Sequence, residues 1–84
     1  LGLKAYPNPF NQQVKVEFSL KEDCEVTLFV TNMAGQMVKK LHESVHFTSG
    51  KHTSEITDIY QSGMYLVVLK AGNTLQTVQI IKNN

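Results

Sequence analysis

The three histidines of this chain fall on a spacing that could hold a metal. His42-Glu43-Ser44-Val45-His46 reads H-E-x-x-H, and His52 stands where the third ligand lies in the longer form H-E-x-x-H-x-x-G-x-x-H. On a helix, His42 and His46 would sit one turn apart and meet a single zinc ion, with Glu43 as general base toward a bound water. The surroundings oppose this. Neighbouring residues favour strand and turn, Ser49 stands where the glycine of the sharp turn belongs, and Gly50 comes one place late. A chain of 84 residues also cannot supply the helix, sheet and cleft walls of such an enzyme. The expectation is therefore a polar, exposed connection between strands, with no metal and no cofactor.

Other catalytic patterns are missing from the sequence. It has no glycine-rich phosphate loop, no G-x-S-x-G elbow and no C-x-x-C pair, and Asp58 lacks a second acid placed for glycoside hydrolysis. No catalytic residue is assigned, and an enzyme is not expected. Tyr6, Phe10, Tyr60 and Tyr65 could form an aromatic platform for a sugar, but they lie beside prolines or inside apolar runs and are expected in the core. Cys24, the only cysteine, alternates with Val26 and Leu28 and reads as a small core residue that cannot form an internal disulfide.

Composition bounds the remaining possibilities. At 84 residues, with 42% hydrophobic and 18% charged residues, the chain is one small globular domain with enough apolar surface to fold. Its net charge of +1 comes from eight lysines scattered among seven acids, so no basic patch favours nucleic acid or an anionic membrane. The longest apolar run is far short of the roughly 20 residues of a membrane helix, so membrane insertion is not expected. The chain starts at Leu1 without a basic, then apolar, leader and reads as an excised piece of a longer protein.

The elements that would position any site are strands. Gly63 to Lys70 holds six consecutive apolar residues, Met64 to Leu69, and reads as a strand buried on both faces. Ala71-Gly72-Asn73 has the length of a tight hairpin loop, which folds Leu75 to Ile81 back antiparallel on Tyr65 to Leu69. Upstream, the short apolar stretch Leu1 to Tyr6 meets Pro7-Asn8-Pro9, where two residues without an amide donor bar both helix and central strand. Val14, Val16, Phe18 and Leu20 alternate with polar residues, as do Cys24, Val26, Leu28 and Val30 after the turn Lys21-Glu22-Asp23.

Asn32-Met33-Ala34-Gly35 is a hairpin loop, with Gln36 to Leu41 as the returning strand; its spacing also allows a helix. A turn at Phe47 to Gly50, an edge strand at His52 to Ile56 and a connection from Thr57 to Gln61 complete the chain. The connection is expected to drop Ile59, with Tyr60, onto the core. About seven short strands separated by regular turn signals indicate an all-β, immunoglobulin-like antiparallel sandwich.

Several blocks, in order and spacing, resemble the type A C-terminal sorting domain of the type IX secretion system. They are Tyr6-Pro7-Asn8-Pro9-Phe10-Asn11, Val26 through Gly35-Gln36-Met37-Val38, Ser62-Gly63-Met64-Tyr65-Leu66-Val67, and the terminal Ile80-Ile81-Lys82. Such a domain is a β-sandwich at the C-terminus of an exported protein. The resemblance implies a non-catalytic signal that takes an N-terminal passenger from the periplasm through outer-membrane secretion machinery to the surface or medium. A sortase-like peptidase usually removes the domain as the passenger is attached. Residue by residue, the resemblance assigns Pro7, Asn8 and Pro9 to a first motif and Gly35 and Gln36 to the middle hairpin. Gly63 and Tyr65 fill a G-x-Y motif, and Ile80, Ile81 and Lys82 the terminal one.

In physical terms, Pro7 to Pro9 would stiffen the approach and hold the passenger away, Gly35 and Gly63 would permit turns, and Tyr65 would anchor the central strand. Gln79, Asn83 and Asn84 make the last strand less lysine-rich than is usual for the family. The final strand, near a sheet edge, is expected to be what the machinery reads by strand addition. The alternative is an immunoglobulin-like adhesive or carbohydrate-binding module.

Overall fold

A computed structural model describes residues 2–83; Leu1 and Asn84 lie outside the described residues. The period-2 apolar patterns become seven strands: β1 (Lys4–Tyr6), β2 (Val14–Leu20), β3 (Cys24–Asn32), β4 (Met37–Phe47), β5 (Gly50–Ile56), β6 (Gly63–Ala71) and β7 (Thr74–Lys82). They form a three-stranded sheet in the order β1-β2-β5 and a four-stranded sheet in the order β4-β3-β6-β7. Every strand pair is antiparallel. The result is the expected all-β sandwich. In the constant-type immunoglobulin arrangement the fourth strand lies beside the fifth, whereas here β4 stays next to β3 in the larger sheet. Among the described residues, no helix is long and apolar enough to cross a membrane.

The core lies between the sheets. Val14, Val16 and Phe18 of β2 are fully buried with Val26, Leu28 and Val30 of β3, Val67 and Leu69 of β6, and Ile80 of β7. Burying each such side chain stabilises the fold by roughly 1.5–3 kcal/mol, and together these outweigh any surface contact. No polar side-chain atom buried among the described residues lacks a hydrogen-bond partner. Cys24 is half-buried against this core, at its margin.

Three expectations need correction. The apolar run of β6 is buried on one face only: Tyr65, Val67 and Leu69 are buried, Leu66 and Val68 half-buried, and Met64 exposed. In a two-layer sandwich the opposite sheet covers only the inner face, so the outer residues of the run keep contact with solvent. The second correction concerns the aromatics. Phe10 and Tyr65 are buried, but Tyr6 is 43% and Tyr60 84% exposed. Each exposed ring turns its hydroxyl to a surface carboxylate, Tyr6 donating to Glu17 at 3.2 Å and Tyr60 to Asp58 at 3.1 Å. Ile59 does reach the core.

The third correction is the length of β4, which continues past Leu41 to Phe47 and turns the expected connection into strand. A bulge makes this possible. The register between β3 and β4 shifts in three places, and Ser44 takes a left-handed φ of 51° with its N–H donated to Thr27 Oγ1 at 3.0 Å. By contrast β6 and β7 pair without a break from Ala71↔Thr74 to Gly63↔Lys82. Their two-residue loop has a positive φ at Gly72, 57°, the first central position of a type II′ turn.

Candidate functional site

The four sequence blocks are far apart in the chain but share one end of the four-stranded sheet. Asn32 at the end of β3 pairs with Tyr65, and Tyr65 pairs with Ile80; one step outward, Gly63 pairs with Lys82, which bridges in parallel to Phe10. The Gly35-Gln36 hairpin leaves β3 directly after Asn32, so it stands at the same end. Asn32 ties that loop together. Its side-chain oxygen accepts from Ala34 N and Gln36 N, its side-chain nitrogen donates to Gln36 Oε1, and its backbone exchanges bonds with Gly35 and Gln36. Gly35, at φ 87°, closes the turn in a conformation that L-residues avoid.

The segment Pro7, Asn8 and Pro9 is bound to β7 through Asn8. The Asn8 side-chain amide donates to Gln79 O at 2.8 Å, and its oxygen accepts from Ile81 N at 2.9 Å. Phe10 continues the contact through its backbone, donating to Ile81 O at 2.9 Å and accepting from Asn83 N at 2.8 Å. Its ring is 1% exposed and nails the segment to the core. Alternation explains the pattern. Residues 79, 81 and 83 turn their backbone groups away from β6, and so do Leu75 and Thr77. No strand of the described residues pairs with β7 on that side. β7 is thus an edge strand: among the described residues its backbone is paired over its last part and unpaired over its first, where Leu3 N meets only the Gln76 side chain.

Tyr65 is an anchor, as expected. It is buried, and its hydroxyl donates to Gln61 O, four residues upstream, at 2.5 Å, the geometry of the tyrosine corner in immunoglobulin-type sandwiches. Ile80 is fully buried beside it, whereas Ile81 points outward opposite Met64 and is 38% exposed. Lys82 turns inward and is 9% exposed, its ammonium donating to Asn83 O at 2.5 Å. It lies in an open cleft of about 420 Å³ shared with Asn11, Gln12, Gln13 and the Thr57 to Tyr60 connection. Within that cleft Asp58 holds a left-handed φ of 63° and sits 3.7 Å from Lys39 Nζ. The Asp58 carboxylate pushes the Tyr60 hydroxyl above its ordinary pKa, first through their hydrogen bond and then through its charge.

The H-E-x-x-H residues lie on strand β4, not on a helix. Without the bulge at Ser44, His42 and His46 would share a face; with it, His42 lies opposite buried Leu28, while His46 pairs with Glu25 and is exposed. His42 Nε2 reaches Ser54 Oγ of the other sheet at 3.2 Å, and His52 Nε2 reaches Thr48 O at 2.7 Å. Both rings pack edge-on against Phe47, with centroids 5.0 and 4.9 Å away. Glu43 pairs instead with Lys40, whose hydrogen bond and charge hold its carboxyl below the usual range. Among the described residues no three His, Cys, Asp or Glu side chains gather as a metal site. His42 and His52 line a seam between the sheets.

Sequence reasoning placed Asn32 in the hairpin loop but missed that its side chain ties the loop together, and it missed the pairing of Asn8 with β7. The available signal for the second was Asn8 itself, the one residue between Pro7 and Pro9 whose side chain can both give and accept a bond. The arrangement of the described residues offers hydrogen-bonding edges and a framed sheet end. No curated protein matches the chain. A family model described as the secretion system C-terminal sorting domain matches residues 4–83, nearly its whole length. The chain belongs to that family, the C-terminal sorting signals of type IX secretion.

Proposed function

We propose that this domain carries an N-terminal passenger across the outer membrane by presenting β7 to the type IX machinery, and that it is itself a substrate, not a catalyst. The observation that carries this reading is the position of β7. It is the last strand, it lies at a sheet edge, and the family match runs to its end. An edge strand offers unpaired backbone groups that an extended segment of another protein can complete, which gives affinity with little demand on sequence. The sheet end framed by Gly35-Gln36, Gly63, Tyr65 and Ile80 to Lys82 then fixes where that segment can sit. Pro7 to Pro9 belong to the same surface through Asn8.

In this reading the passenger crosses the periplasm, emerges at the surface or in the medium, and parts from the domain by the action of a sortase-like peptidase. The test is a fusion of residues 1–84 behind a signal peptide and a fluorescent reporter, in a bacterium with this secretion system and in a mutant lacking its translocon. Surface or medium fluorescence in the competent strain alone is the expected result. A folded reporter retained in the periplasm of both strains would sink the reading and leave a similarity of fold. The adhesive or carbohydrate-binding alternative would then take its place.

A further inference from the structure

The edge of β7 is already used once, by the chain's own Asn8 to Phe10 segment. We propose that this segment is an intramolecular plug, which occupies the docking edge of β7 until an extended segment of the secretion machinery replaces it. The proposal rests on the reading of β7 as the recognised strand, and adds how access to it is controlled.

The chemistry of the plug is specific. Five residues of the β7 side, 75, 77, 79, 81 and 83, turn their backbone groups outward. Asn8 fills two of these positions with a side chain, its carboxamide bridging Gln79 O and Ile81 N as a peptide group of an added strand would. Phe10 takes Ile81 O and Asn83 N with real backbone groups. Pro7 and Pro9 have no N–H, so the segment cannot extend its own ladder toward Thr77 and Leu75. Among the described residues no backbone group pairs with those two positions, although Leu3 N reaches the Gln76 side chain between them, and they give an incoming strand a place to land.

From there replacement can proceed one bond at a time. The Asn8 bonds are exposed to solvent, while the Phe10 ring is buried, so the plug opens at Asn8 first and stays hinged at Phe10. Each bond lost to Asn8 is matched by one gained from the new strand. The occupant is an extended peptide because that is what the edge already seats. Nothing along the edge repels one: Leu75, Thr77, Gln79 and Ile81 are uncharged, and β7 has no bulge.

The experiment places a photo-crosslinking residue at Leu75, which is 65% exposed and outside the plug, in the full passenger fusion. Wild type, Asn8→Ala and Asn8→Asp are compared in the competent strain, and amide exchange is followed on the purified proteins. Asn8→Ala should speed exchange of the Ile81 N–H at least ~10-fold while leaving Ile80, bonded within the sheet, unchanged. The same variant should raise crosslinking to a component of the machinery ~5-fold, since it loses two modest hydrogen bonds from the closed form. Asn8→Asp keeps the acceptor for Ile81 and should fall between, which also covers any folding defect in the alanine variant.

Faster exchange at Ile81 with crosslinking unchanged or reduced would overturn the plug. Crosslinking only to a second copy of the chain would overturn the stated occupant. If the wild-type fusion is exported and Asn8→Ala makes no difference, the sorting role stands and the plug alone fails. If the wild type is not exported in the competent strain, both fall together.

Discussion

β4 and β7 lie at opposite edges of one sheet, and among the described residues no strand pairs beyond either. They are protected differently. β4 is bent by the bulge at Ser44 and carries Lys39, Lys40, Glu43 and two histidines, features that discourage any strand from pairing with it. β7 keeps an unbroken register with β6, and its outward positions from Leu75 to Ile81 are uncharged. Part of its edge is covered by the Asn8 to Phe10 segment of its own chain. The contrast separates an edge whose shape and charge discourage pairing from one that, in the proposed reading, is paired on demand.

The largest effect that would break this comparison is at Phe10. Phe10→Ala removes the buried ring that holds the plug and leaves a cavity, so a loss of about 3–5 kcal/mol is expected in urea unfolding. Amides of Ile81 and Asn83 should then exchange rapidly even where the rest of β7 stays protected. A loss under about 1 kcal/mol would mean that the ring is not the hinge.

On the β4 side, Ser44→Val forces a β-branched residue into a left-handed conformation and should cost about 1–2 kcal/mol. Ser44→Gly should be neutral or slightly stabilising, because glycine accepts that φ. Thermal unfolding of the two variants separates backbone strain from loss of the serine side chain. Equal destabilisation by both would contradict the role given to the bulge.

Much of this was legible in the chain. Val14 to Leu20 and Cys24 to Val30 alternate so cleanly that strand, inner face and sandwich follow at once, and the buried valines and leucines are the ones the pattern marks. The second half of β4 was not legible. His42-Glu43-Ser44 looks like a polar connection, and the bulge that carries the strand through it depends on Thr27, 17 residues earlier. Tyr60 stood next to core residue Ile59 and gave no sign that Asp58 would hold it outward. The Asn8 contacts span 71 and 73 residues, which periodicity does not report. The convergence of the four blocks came from the resemblance in order and from the register in space, and neither alone supplies it.

The smallest expected effect belongs to Lys40 and Glu43 on β4. The lysine's hydrogen bond lowers the Glu43 pKa, so the pair's contribution is present above the usual carboxylate range and is lost as pH falls through the lowered value. Both groups are exposed, so the change in stability should be hard to detect, and the sharper measurement is an NMR titration of Glu43. Its midpoint should lie below the usual carboxylate range and should rise toward that range in Lys40→Ala.

The most direct test of the account is a proline at Thr77. Its N–H points away from β6, so Thr77→Pro removes a bond that only an added strand would make and leaves the β6–β7 ladder whole. The measurement is export of the reporter fusion in the competent strain, beside circular dichroism of the purified variant. The account predicts a folded domain whose passenger is no longer exported. Wild-type export from a folded Thr77→Pro variant would contradict recognition through the edge of β7.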